Sequence, residues 1–232
     1  MFNTTFLNGS FSLLLILLIP FCYTILMKEQ YDLIAIGDTV IDAFIKLKDA
    51  SIHGKQGDQT YEICLPFAEK VPYEDVFILP AVGNAANAAV SASRLGLKTG
   101  FITNIGSDQQ GKDCLASLQK DGVSDEFVKI TEGKKTNYHY VLWYGSERTI
   151  LIKHEIFDYV LPDIGEPKWI YFSSVNENAF PFHNTVADYI VAHPSVKLAF
   201  QPGKFEIKMG KEKLAKLYKN CELFFCNVEE AK

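Results

Sequence analysis

The chain has 232 residues, of which 48% are hydrophobic and 22% charged, with 23 lysines and arginines against 28 aspartates and glutamates and a formal net charge of −5. That composition argues against an intrinsically disordered chain. The slight acidic excess leaves no attraction to nucleic acid or to an anionic membrane surface by charge alone.

The chain opens on an apolar leader. Met1 to Met27 carries no charged residue, and Phe11 to Met27 (FSLLLILLIPFCYTILM) is long enough for a membrane-spanning helix or a signal-peptide core. It lacks a basic flank and a small-residue cleavage site, and Pro20 interrupts it. Three readings stay open: a start placed too early, with Met27 the true initiator; a single-span anchor through residues 11–27; or a cleaved signal. Residues 28–232 are expected to form one domain.

From Tyr31 the chain alternates between strand and helix patterns. Tyr31 to Ile36 is an apolar run ending at Gly37, as a buried parallel strand does. Short alternating stretches among glycines and prolines between Asp42 and Pro80 predict a small β annex. Asn84 to Leu95 is an alanine-rich helix stopped by Gly96. Lys98 to Asn104 reads as a strand, and Ser107 as the cap of a helix running to about Asp121. Tyr138 to Tyr144 and Arg148 to Ile152 predict a hairpin. Strands at Trp169 to Ser173, Val196 to Phe200 and Leu223 to Cys226 then alternate with helices near Phe182 to Ala192 and Lys211 to Lys219, and Val228 begins another helix. The expected fold is α/β: a mostly parallel sheet flanked by helices, with a small β lid contributed by about 43–80 and 136–152.

Five cysteines and five histidines are scattered without CxxC or HExxH spacing, which argues against a disulfide framework and a metal site. A reducing, cytoplasmic compartment fits this usage, and each histidine reads as a surface or packing residue. In open parallel sheets ligands gather at the carboxyl ends of the strands. After the first strand, Asp38 reads as a turn cap, while Asp42 is open between a structural role and an acceptor for polyol hydroxyls. Gly83 lets backbone approach a ligand closely. Asn84 and Asn87 stand on one side of the next helix's first turn, where each amide suits a hydroxyl or simply caps the helix. No GxxxxGK[ST] loop is present, and no GxGxxG follows the first strand, so a P-loop site is excluded and a Rossmann site disfavoured.

Asp42 beyond Gly37, the GNAANAA segment from Gly83, Arg94-Leu95-Gly96, Asn104-Ile105-Gly106-Ser107-Asp108, Asp121-Gly122-Val123 and Asn227-Val228-Glu229-Glu230 occur in one order. Together they resemble the amino-terminal part of the ribokinase-like (PfkB) carbohydrate kinases. The resemblance implies ATP- and Mg2+-dependent phosphorylation of a hydroxyl on a sugar, sugar phosphate or nucleoside. By position it implies that Asp42, Gly83, Asn84 and Asn87 line the acceptor pocket. Asn227 and Glu230 match an NxxE motif, with Glu230 organising magnesium through water. It also implies a homodimer through the lid.

The chain departs from the family pattern in its last part. No DTxGAGD-like segment, the source of the anion hole and of the catalytic aspartate, occurs up to Lys232. The expectation is a truncated, inactive kinase or a non-catalytic sugar-binding relative. Val82 in place of a second glycine, and the Pro202-Gly203 continuation, keep a nucleoside acceptor open beside a sugar.

Overall fold

In the computed structural model the described residues are 30–54, 61–228 and 230–231, and everything from Tyr31 onward belongs to one unit. The apolar leader and residues 55–60 lie outside the described residues. Among the described residues no helix is long and apolar enough to cross a membrane.

Six parallel strands make the main sheet. In chain order they are β1 (Leu33–Ile36), β6 (Thr99–Gly106), β7 (Val128–Thr131), β10 (Trp169–Phe172), β11 (Lys197–Phe200) and β12 (Leu223–Phe224), arranged β12-β11-β10-β1-β6-β7. The continuous apolar runs seen in the sequence follow from this arrangement, because a strand covered on both faces has no solvent side. All eight residues of β6 are buried.

Period-two alternation divides the core into two layers. Ile34, Ile36, Ile102, Phe172 and Phe200 face one cluster, shared with Phe182, Val186 and Ile190 of the helix α3 (Phe180–Ala192). Ala35, Phe101 and Ile105 face the other, shared with the alanines of α1 (Asn84–Arg94) and with Cys114 and Leu118 of α2 (Gln109–Lys120). The small residues of α1 let that helix lie close to the sheet, and this holds its first turn at the end of β1.

A four-stranded lid sheet has the order β5-β2-β8-β9, built from β2 (Val40–Leu47), β5 (Tyr73–Val82), β8 (Tyr138–Tyr144) and β9 (Glu147–Leu151). A separate two-stranded ribbon pairs β3 (Ser51–Gly54) with β4 (Tyr61–Cys64). The lid is thus more regular than the loose annex expected from the Gly- and Pro-punctuated sequence.

Three local expectations need correction. The cap of α2 is Asp108, whose Oδ1 accepts the Gly111 N–H at 3.0 Å, while the Ser107 hydroxyl accepts the Gly133 N–H instead. Of the helix expected over Lys211 to Lys219 only α5 (Ala215–Asn220) forms, preceded by an unexpected short helix α4 (Lys204–Met209), with residues 210–214 between them. The strand β7 has a mixed, half-exposed pattern at the sheet edge and gave no apolar run to detect.

Two polar knots fasten the lid and the helices to the sheet. Asp108 also accepts the Thr136 hydroxyl at 2.6 Å and the Thr136 N–H at 3.0 Å, so the cap of α2 grips the chain just before β8. Burial works to raise the Asp108 pKa, but the Thr136 and Gly111 donors outweigh it and hold the carboxyl below its usual range.

The second knot is fully buried. Glu206 accepts from Ser174 Oγ at 2.8 Å, from the Val175 and Gly203 N–H groups at 3.1 and 3.0 Å, and contacts His183 Nε2 at 3.1 Å. His183 Nδ1 meets the Ala179 carbonyl at 2.8 Å. Both ring nitrogens thus meet an oxygen, and His183 bridges Glu206 to the N-terminal end of α3. Burial alone raises the Glu206 pKa; the His183 contact and the Val175 and Ser174 donors outweigh it and lower the net value.

Two outcomes follow for stability. Asp108→Ala removes the cap and lowers the urea-unfolding free energy by about 0.5–2 kcal/mol. Glu206→Gln, which leaves the buried Ser174, Val175 and Gly203 donors without a charged acceptor, costs about 1–3 kcal/mol at neutral pH. Because the Glu206 pKa is depressed on folding, its contribution is full above the ordinary carboxylate range and is lost as pH falls below that range and through the lowered folded value. Urea titrations at pH 7 and pH 4 are therefore expected to show the gap between wild type and Glu206→Gln shrinking in acid.

Candidate active site

The carboxyl ends of β1 and β10 and the middle of β6 meet at Gly37. Its N–H donates to Ile102 O at 3.2 Å, and the Asp38 N–H donates to Ser174 O at 2.8 Å. A Cβ on Gly37 would sit 2.7 Å from the Ala85 Cβ and 3.2 Å from Ser174 O, so only glycine lets α1 and the loop after β10 close on this point.

From here the chain leaves the sheet, forms β2, and returns along β5 to the turn before α1. Gly83 occupies that turn at φ +119°, with the Asp38 carbonyl 3.0 Å from where a side chain would begin. Both the backbone conformation and the space demand glycine.

This convergence encloses a cavity of about 210 Å³ whose walls include Asp38, Asp42, Gly83, Asn84, His139, His154, Ser173 and Ser174. Three of the four residues assigned to the acceptor pocket by position, Asp42, Gly83 and Asn84, are among its walls. Asn87, one turn further along α1, is exposed and is not one of its lining residues.

Asp38, read from sequence as a turn cap, is a cavity wall. Its Oδ1 accepts from the Tyr159 hydroxyl, and its Oδ2 lies 3.6 Å from His154 Nδ1. Burial and the Asp38 charge push the Tyr159 pKa well above its ordinary value, so the phenol keeps its proton and donates.

The two histidines in the cavity were read as surface or packing residues. Asp42 and His139 are register partners on the parallel strands β2 and β8, which puts their side chains on one face. His139 Nδ1 lies 3.3 Å from Asp42 Oδ1. His154 follows β9 and stacks edge-on against His139, with ring centroids 5.0 Å apart.

Asn137, 1% exposed, organises this wall. Its Oδ1 accepts the Glu155 N–H at 2.7 Å, its Nδ2 donates to Thr39 O at 3.3 Å, and its carbonyl accepts the Ile41 N–H at 2.9 Å. Nothing in the sequence pattern marks Asn137, because its role depends on three segments distant along the chain. A histidine motif scan misses His139 and His154 for the same reason: their partners are set by strand register, not by spacing.

The NxxE residues form a reciprocal cap near the end of the described chain. Glu230 Oε2 accepts the Asn227 N–H at 3.0 Å and Asn227 Oδ1 accepts the Glu230 N–H at 2.8 Å. Among the described residues no group of three or more histidine, cysteine or acidic side chains is placed to hold a metal directly.

A larger cavity of about 520 Å³, walled by Asp108, Lys135, Tyr138, Tyr140 and Lys153 among others, uses alternate residues of β8. Tyr138 and Tyr140 point opposite to His139 along that strand. None of the residues assigned by position lines it.

Comparison with known proteins gives these features a context. The model of the pfkB family of carbohydrate kinases matches residues 57–232. An uncharacterised sugar kinase of Archaeoglobus fulgidus is 28% identical over 145 residues, covering 60% of this chain and 57% of its own. A 5-dehydro-2-deoxygluconokinase of Bacillus velezensis is 28% identical over 114 residues, covering 49% of this chain and 29% of its own. The chain thus spans about half or less of these relatives' length. The crystal structure of a ribokinase from Cryptococcus neoformans in complex with ADP superposes with a TM-score of 0.62 at 18% identity, over 85% of this chain and 57% of that one. With the family model covering most of its length and the ribokinase-like sheet in place, the chain belongs to the pfkB family of carbohydrate kinases.

Proposed function

We propose that these residues form the acceptor-binding part of an ATP-dependent sugar kinase, and that the acceptor sits in the cavity between Asp42 and the Gly83–Asn84 turn. The observation that supports this reading most is that Asp42, on a lid strand, and Gly83 and Asn84, at a helix start 41 and 42 positions later in the sequence, wall the same small cavity at the carboxyl end of the parallel sheet. A carboxylate accepts from two hydroxyls at once, and an asparagine amide both donates and accepts, so together they can fix a polyol in one orientation. Asn87 remains a proposed contact from the side of α1, reachable by a ligand larger than the cavity.

ATP and Mg2+ belong to the proposal through the family. When bound, the ion supplies neutralisation of the charge that develops on the transferred phosphoryl group. The residues in hand fit a water-mediated role and no more: Glu230 offers one carboxylate whose Oε2 is already held by the Asn227 N–H. Positioning is the main contribution this chain makes, since phosphoryl transfer depends on alignment and charge stabilisation. The 232 residues contain no DTxGAGD-like segment. A base for the acceptor hydroxyl is therefore not assigned to any of them.

The reading is tested by isothermal titration and by a coupled ADP-release assay on the 232-residue chain. Sugar binding without turnover is expected, and Asp42→Ala is expected to weaken binding by about 10- to 100-fold, the loss of a hydrogen-bonded charged acceptor. Unchanged affinity in Asp42→Ala excludes this cavity as the acceptor site, and ATP-dependent phosphorylation by the chain itself excludes the binding-only role.

A further inference from the structure

His139 and His154 face the two cavity aspartates in pairs, and this arrangement bears on which acceptors the site admits. His139 is 9% exposed, and its Nε2 is buried without a hydrogen-bond partner; His154 Nδ1 and Asp42 Oδ1 are likewise buried without one. Buried polar atoms in folded proteins are nearly always satisfied. Three such atoms around one cavity point to a ligand that supplies the missing hydrogen bonds.

His139 Nδ1 faces Asp42 Oδ1 at 3.3 Å without making a hydrogen bond to it, and in the tautomer with its proton on that side the neutral ring presents the lone pair of Nε2 to the cavity. A lone pair in that position accepts from a hydroxyl and repels an oxyanion.

Charge leads to the same selection whatever the protonation of the rings. Among the described residues, the ionisable side chains of the cavity walls are Asp38, Asp42, His139 and His154, with no lysine or arginine. Two carboxylates give −2 with both imidazoles neutral and 0 with both charged, so the wall is never net positive. Each imidazole, when charged, is already matched by a carboxylate, His139 by Asp42 and His154 by Asp38. Lys153, next to His154 in the chain, is taken by Glu155 at 3.2 Å. A phosphate or carboxylate on the acceptor would be desolvated with no free cation among the described walls to receive it. The volume of about 210 Å³ lies below the range of about 300–1,000 Å³ usual for larger ligands and suits a single monosaccharide.

We propose that His139 and His154 are positioning residues that hold Asp42 and Asp38 and complete a hydroxyl-binding wall, and that this wall selects an uncharged polyol over a phosphorylated or oxidised sugar. The inference rests on reading this cavity as the acceptor site.

The test measures binding of the full chain to D-ribose, D-fructose and D-glucose against D-ribose 5-phosphate, D-fructose 6-phosphate and D-gluconate, by titration and by the imidazole C–H resonances. At least one neutral sugar is expected to bind about tenfold or more tighter than every anionic one and to shift the His139 and His154 signals. His139→Phe is expected to reduce that neutral-to-anionic ratio, and His139→Gln, which keeps a polar side chain, to restore part of it. A role confined to stability would instead weaken all ligands alike, and that result overturns the assignment to His139. Should His139→Phe not fold, the wild-type panel and resonances decide. Equal or tighter binding of an anionic sugar overturns the selection while leaving the acceptor site standing. Absence of binding or of any histidine shift across all six sugars overturns the site itself and the inference with it.

Discussion

The candidate site exists because two strand ends, the middle of a third strand and one helix start meet at a residue with no side chain. Gly37 leaves β1 where α1, β6 at Ile102 and the loop after β10 all approach, and a Cβ there would sit only 2.7 Å from the Ala85 Cβ, which leaves no room for even a methyl group. Close approach of backbone is what brings Asp38, Ser174 and the first turn of α1 around one point. The alanines of α1 serve the same end, since a larger side chain at Ala85, Ala86 or Ala89, each at most 1% exposed, would lift the helix off the sheet. The geometry of the cavity is thus a consequence of small residues at the sheet end, and its chemistry a consequence of what the lid adds.

The lid's contribution is carried by strand register. β2 and β8 are parallel neighbours, so Asp42 and His139 lie side by side, and Asn137 ties the start of β8 to Thr39, Ile41 and the segment bearing His154. Behind the opposite wall, Ser174 is held by Glu206, which in turn is locked to His183. Both sides of the cavity are therefore fastened to buried polar networks, one around Asn137 and one around Glu206. Rigid support of this kind fixes side chains to the precision that recognition of several hydroxyls requires.

Much of this was legible in the sequence, and the missing parts have identifiable causes. An apolar run marked β1 because a parallel strand buried on both faces does not alternate, strand patterns marked β6, β10 and β11, and alanine density bounded by Gly83 and Gly96 marked α1. The expected boundaries failed where capping chemistry had two candidates, as at Ser107 and Asp108, and where a short helix such as α4 gains its stability from the buried Glu206 and not from periodicity. Asp42, Gly83 and Asn84 were reachable by position within a motif. Asp38, Asn137, His139 and His154 were not, since each acquires its role from partners 18 to 121 residues away, exemplified by the Tyr159 hydroxyl on Asp38 and the Glu155 N–H on Asn137. Asn87 shows the converse: helical spacing put it beside Asn84, yet the cavity wall ends before it.

The most direct measurement is a crystal structure of the chain with a neutral monosaccharide bound. The account places the sugar in the smaller cavity, with hydroxyls on Asp42 and His139 Nε2. Density for the sugar across β8 instead, between Tyr138, Tyr140 and Lys153 in the larger cavity, would contradict it.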